Sequence, residues 1–134
     1  MSEFLKDYIR YRMEKSAESF DAAKLLAEHG SWNACVNRLY YSCFYIVTAL
    51  LLKNGLPTQT HSGVKVLFNF HFVRTGKLSQ DFGKLYSDLM DWRHKGDYGD
   101  MFDFDKPTVE PMITQMDEFL SAIKKLIGNG DVSD

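Results

Sequence analysis

The sequence predicts an all-α protein, an up-and-down antiparallel bundle of about five helices. Apolar residues recur at i, i+3 and i+4 along nearly the whole chain, the mark of amphipathic helices. No stretch shows sustained period-two alternation bounded by turn residues, so strands are not expected. Gly, Pro, Asn and Ser cut the chain into five segments with mostly short connections, which favours antiparallel neighbours. With 134 residues, 45% of them hydrophobic and 14% aromatic, the chain can build one real core but not two domains of ordinary size. One domain over residues 1–127 is expected, with "GNGDVSD" at 128–134 as a frayed, disordered tail.

The first helix is predicted from about Ser2 to Glu28, where Phe4, Leu5, Tyr8, Ile9, Arg12, Met13, Ala17, Phe20, Ala23 and Ala27 follow helical spacing and His29-Gly30 supplies the stop. Ser31 is the expected N-cap of a second helix, Trp32 to about Lys53, closed by "NGLP". That helix is apolar on most faces and should be central. After the loop "LPTQTHSG", a third, shorter helix carries Val64, Val66, Leu67, Phe70 and Val73 and ends at Gly76. A fourth starts near Ser79 and runs through Phe82, Leu85, Tyr86, Leu89 and Met90 to about His94. The Gly-punctuated "GDYGDMFDFDKP" is too short for a domain linker and reads as an ordered connection. A fifth helix begins near Pro107, a favourable first-turn residue, and extends through Leu126.

Composition excludes several function classes. A formal charge of -2, from 16 basic and 18 acidic residues, gives no bulk pull toward nucleic acid, so binding of RNA or nucleotide must rest on a local cationic cluster. Cys35 and Cys43 are about two helical turns apart, roughly 12 Å along the axis and beyond disulfide reach, so both are read as reduced and buried. The charged N-terminus is unlike a signal peptide, and the longest apolar run, "CFYIVTALLL", is far short of the roughly 20 residues that span a bilayer. A cytoplasmic protein without membrane contact is expected. His29, His61, His71 and His94 fall in different elements with no metal-ligand spacing, so neither a metal nor a cofactor is expected. A P-loop, a dinucleotide fingerprint and a local nucleophile signature are also absent.

Two segments carry candidate chemistry. In the second helix Arg38, Tyr41 and Tyr45 share one stripe. An Arg in so apolar a helix must be paired, stacked or at an edge. Taken alone, Arg38 is more readily explained by a carboxylate on a neighbouring helix, its stem covering apolar surface. In "WRHKGDYGD", Trp92 to Asp100, Arg93 and Asp97 can form an i, i+4 ion pair if the helix persists. Gly96 weakens that last turn and lets the chain leave the helix there. Arg93 and His94 would then occupy a C-terminal turn that favours cations, with Tyr98 projecting from the exit loop.

The run "RLYYSCFYIVTALLLKNG" from Arg38 to Gly55, the "THSG" after the next loop, "FNFHFVRTG" ending the third helix and "LMDWRHKGDY" closing the fourth together resemble the HEPN domain, in particular its small stand-alone prokaryotic group. The similarity covers roughly residues 12–125. It implies a helical bundle that usually forms a homodimer and often pairs with a minimal nucleotidyltransferase in a toxin-antitoxin-like module. Active HEPN ribonucleases carry an Arg followed, after four to six residues, by a His, with the two copies meeting across the dimer. Arg93 matches the Arg; the positions where the His would stand are Tyr98, Gly99 and Asp100.

The resemblance therefore implies a polar cleft of Arg38, Tyr41, His61, Arg93, Asp97 and Tyr98 that takes RNA or a nucleotide, with His94 as a further binding candidate. Arg93, Asp97 and His61 are the candidates for metal-independent ribonuclease chemistry. An imidazole can move the 2'-hydroxyl proton or protonate the leaving oxygen, and an Arg can stabilise the phosphorane. A carboxylate with an ordinary pKa near 4 is a poor general acid at neutral pH. His94 directly follows Arg93, about 100° around the helix, whereas His61 reaches the site only if its loop folds over the fourth helix. The absent in-register His weighs toward binding rather than cleavage. Some paired HEPN toxins are silenced by adenylylation of a Tyr near this motif, which makes Tyr98 a candidate modification target. The rival reading is a non-catalytic helical dimer that docks a nucleotidyltransferase.

Overall fold

A computed structural model describes residues 1–128; the tail predicted for 129–134 lies outside the described residues. The chain forms α1 (Glu3–Glu28), α2 (Trp32–Lys53), α3 (His61–Phe68), α4 (Gln80–Tyr98) and α5 (Lys106–Ile127), and no strand occurs among the described residues. A π-helical turn, Asn69–Val73, continues α3 toward Gly76. The all-α reading holds, and the first two helices fall within a residue of the predicted bounds.

Local chemistry explains the ends. Gly30, at φ +73°, closes α1: its N–H donates to the Ala27 carbonyl at 3.0 Å and the Ser31 N–H donates to that of Leu26 at 2.9 Å. These two bonds satisfy carbonyls that the helix end would otherwise leave open. Ser31 precedes α2 as expected, but its side chain makes no capping hydrogen bond. Asp105 caps α5 by accepting from the Thr108 N–H at 3.1 Å, and hydrogen bonding from the Thr108 side chain and then from that N–H holds its carboxyl below the usual range.

α2 is the axis of the bundle. Leu39, Tyr40, Cys43, Ile46, Val47, Leu50 and Leu51 are all fully buried, because α1, α3, α4 and α5 each pack against it. Its length and apolarity would suffice to cross a membrane, but 72% of its most apolar window is enclosed by the bundle. The α1–α2 seam is close because small residues line it. The Ser16 hydroxyl donates to the Ser42 carbonyl at 2.7 Å and the Ser42 hydroxyl donates to that of Ser16 at 2.9 Å, so two buried hydroxyls satisfy each other's backbones. Cys35 and Cys43 are free and buried, as expected, and burial raises both thiols, Cys35 to about 11.

α4 is longer than predicted. It passes through Gly96 and ends at Tyr98, so Tyr98 is the last helical residue rather than part of the exit loop. Gly96 does not stop the helix because it serves close packing: a Cβ there would meet Phe104 at 3.3 Å and Asn33 at 3.6 Å. The stop is Gly99, where a Cβ would fall 2.4 Å from the Lys95 carbonyl oxygen, a distance no side chain tolerates.

Asn33 fixes the connection that follows. Its amide donates to the Phe102 carbonyl at 2.8 Å and more weakly to that of Gly96 at 3.4 Å, while its oxygen accepts from the Phe104 N–H at 2.8 Å. Phe104 then stacks on Trp92, with ring centroids 5.3 Å apart. Asn33→Ala strands these backbone groups at a partly buried site and is expected to cost about 1–3 kcal/mol in urea-monitored unfolding, with proteolytic nicking near Met101 rising in parallel.

Candidate functional site: an imidazole and an arginine on a shared tyrosine

The site is assembled on one face of α2. Tyr40 is fully buried, and its hydroxyl lies 2.6 Å from Nδ1 of His61. His61 is the first residue of α3, placed there by the Thr60 cap, whose hydroxyl accepts from the Gly63 N–H at 2.9 Å. A Cβ on residue 63 would lie 2.7 Å from that hydroxyl, which accounts for the Gly of "THSG". The His61 ring lies flat on Phe44, at 4.2 Å and 5° between planes, and edge-on to Tyr41 at 6.0 Å. Packing and one short hydrogen bond thus fix the imidazole, and Nδ1 is committed to Tyr40, which leaves Nε2 for other partners.

Arg93 reaches the same place from α4. Its guanidinium carbon stands 4.8 Å over the Tyr40 ring and 5.7 Å over Tyr41. Its Nε is buried without a hydrogen-bond partner among the described residues. The predicted ion pair with Asp97 does not form: Arg93 leans onto the α2 rings, and Asp97 instead accepts from the Asn37 amide at 3.0 Å. A buried donor on a cation that rests on aromatic faces is an unsatisfied polar group that calls for an explanation.

The electrostatics follow from this arrangement. Burial, and then the Arg93 charge, lower the His61 pKa below its ordinary 6.5, so the imidazole is neutral at pH 7 and can accept a proton. Burial outweighs Arg93 at Tyr40 and pushes that phenol up to about 12, so it stays protonated. Behind it the Tyr86 phenol is buried and raised well above its usual value. The Tyr86 hydroxyl is near enough to Tyr40 for each to perturb the other's ionisation, yet the geometry falls short of a hydrogen bond and no other partner is present.

Arg38 also departs from expectation. It finds no carboxylate on a neighbouring helix; its Nε and Nη2 donate to the Asn37 oxygen at 3.0 and 2.9 Å, and its guanidinium carbon sits 5.0 Å over Tyr41. The carboxylate of α4 is reached only indirectly, since Asn37 bridges Arg38 to Asp97. Of the sequence-predicted residues, the structure thus brings together His61, Arg93, Tyr41, Arg38 and, through Asn37, Asp97. His94 and Tyr98 point elsewhere: their rings pair with each other at 5.1 Å on an exposed flank, where Tyr98 is 70% exposed. Sequence reasoning missed Tyr40 and Asn37. The signal for Asn37 was present, since Asn33 and Asn37 are two polar residues at i, i+4 spacing in an otherwise apolar helix.

The fold and the site together define an all-α bundle with an arginine and an imidazole on one buried tyrosine. The model of the HEPN domain matches residues 9–126, and the chain belongs to that family. A UPF0332 protein of Thermotoga maritima is 43% identical over 119 residues, 89% of this chain and 90% of the relative. Two proteins of Methanocaldococcus jannaschii, each named "putative toxin", are 32% identical over 126 residues (92% of this chain, 91% of the relative) and 30% identical over 115 residues (86% and 78%).

Proposed function

We propose that this protein is a toxin-like HEPN ribonuclease that binds single-stranded RNA on the α2 face and cleaves it without a metal. The observation that carries this reading is the placement of His61, an imidazole from α3, in the field of Arg93 and on the same Tyr40 ring. In this reading His61 stands in for the histidine lacking from the Arg93 motif in sequence. The names of the two Methanocaldococcus relatives support the toxin-like part.

In this mechanism Arg93 holds the non-bridging oxygens of a phosphodiester. His61, in the tautomer whose Nδ1–H donates to the Tyr40 oxygen, takes the proton of the adjacent 2'-hydroxyl at its bare Nε2, the O2'–P bond forms, and the P–O5' bond breaks. The leaving 5'-oxygen takes a proton from solvent, giving a 2',3'-cyclic phosphate and a 5'-hydroxyl. Arg93 stabilises the charge that builds on the phosphorane, and Tyr40 orients the imidazole through Nδ1. Asp97 acts through Asn37 to hold Arg38 as a second phosphate contact, a positioning role rather than that of a base. His94, paired with Tyr98 on the exposed flank, lies outside this reaction.

For the homodimer that the family resemblance implies, we propose Met101 and Phe102, 96% and 38% exposed, as an apolar edge. Tyr98, 70% exposed, is left outside that edge and accessible to a nucleotidyltransferase partner, and a gain of one AMP that Tyr98→Phe abolishes would mark it as the modified residue. The ribonuclease reading is tested by incubating the protein in EDTA with a single-stranded RNA and with its all-deoxy counterpart. The RNA is expected to be cut and the DNA to survive; an intact RNA overturns the reading.

A further inference from the structure

The aromatic stripe of α2 continues past Tyr41 to Tyr45, at 6.0 Å between rings, and Tyr45 carries a third arginine from a different helix. Arg12 of α1 places its guanidinium carbon 5.6 Å over Tyr45 and 5.1 Å over Tyr8, and its Nη2 donates to the Tyr8 hydroxyl at 2.7 Å. Its Nε is buried and has no hydrogen-bond partner among the described residues, the same condition as Arg93 Nε. The other cations of α1 are treated differently: Lys6, Arg10, Lys15 and Lys24 each face a carboxylate three residues away, on Glu3, Asp7, Glu18 and Asp21. Positions three and four residues from Arg12 are Tyr8, Ile9, Lys15 and Ser16, so its own helix offers it no anion.

Such an arginine lies over two rings with no ion pair among the described residues, and the tilted Tyr45–Tyr41 pair links it to the Arg38 and Arg93 site. A guanidinium that has no carboxylate and keeps N–H donors beyond the one given to Tyr8 suits phosphate, and rings alongside suit stacking of an unpaired base. We propose that Arg12, framed by Tyr8 and Tyr45, is a second phosphate subsite that grips a flanking nucleotide of the strand whose scissile phosphate sits at Arg93. The inference rests on the RNA-binding reading above and extends the track along the α1–α2 seam.

The test uses 2'-O-methyl uridine oligomers, which bind without being cut, in the full-length protein. A decamer spans both subsites, whereas the dinucleotide UpU carries one phosphodiester and fills only the Arg93 centre. Arg12→Gln is expected to weaken the decamer about tenfold and to flatten its log K against log salt slope by about 0.7, the share of one phosphate contact on a single strand. UpU binding should not change, and Arg12→Lys should restore the slope. Arg93→Gln should weaken both ligands. Unchanged decamer affinity and slope in Arg12→Gln, beside a loss in Arg93→Gln, overturn the subsite and leave the RNA reading standing. A loss in Arg12→Lys equal to that in Arg12→Gln overturns it as well, because the residue would then act through packing. Failure of the unaltered protein to bind the decamer removes both.

Discussion

Arg93→Ala is expected to reduce RNA cleavage by a hundredfold or more while the bundle stays folded. The size follows from the role: a preorganised cation aimed at charge that develops in the transition state is worth about 10²–10³ in rate. The survival of the fold follows from the contacts. Arg93 has no ion pair to leave stranded, its Nε is already without a partner, and what disappears is packing on Tyr40 and Tyr41, worth about 1–2 kcal/mol. The measurement is single-turnover cleavage beside a thermal melt. A variant that melts like the parent but cleaves equally well would remove Arg93 from the mechanism.

His61→Gln should cost about 10²–10⁴ in cleavage, the usual range for a general base, with RNA binding changed only a few-fold. Gln can still bond the Tyr40 hydroxyl, so the local packing on Phe44 and Tyr41 is kept while the proton acceptor is lost. The separation of the two effects distinguishes the residues: Arg93 is expected to matter for affinity and rate, His61 for rate. Equal losses in affinity and rate for His61→Gln would assign the imidazole to binding.

Much of this arrangement was legible before any coordinates. The apolar periodicity of α2 marked it as the axis, because a helix apolar on most faces is stable only when surrounded. Arg38, Tyr41 and Tyr45 fell on one stripe by helical spacing alone, and the structure adds Arg12 to its far end. Gly96 was misleading for a physical reason. Glycine after a helical stretch signals either a left-handed cap or close approach of another element, and nothing local separates the two. Here Asn33 and Phe104 crowd Gly96, so the helix runs on to Gly99 and carries Asp97 to Asn37.

The candidate site was less legible, because its parts come from elements far apart in the chain. That His61 comes to the same Tyr40 as Arg93 depends on how α3 packs against α2, a long-range event that residue spacing does not encode. The expected Arg93–Asp97 pair failed on the same ground: within α4 the two residues are natural partners, but α2 offers each a better one. Asn37 takes the carboxylate, and the faces of Tyr40 and Tyr41 take the guanidinium.

The central claim is that His61, Arg93 and an RNA phosphate share one site, and the ionisation of the His61 ring reports on all three. Its pKa can be followed by NMR in the free protein and with a saturating all-deoxy strand, which lacks the attacking hydroxyl. In the free protein the value should lie below 6.5, because burial and the Arg93 charge both oppose protonation. A phosphate seated at Arg93 neutralises that charge and adds a negative one beside the ring, so the strand should raise the pKa, and it should do so far less in Arg93→Gln. A free value at or above 6.5, or a value that the strand leaves unmoved while it binds, would contradict the account.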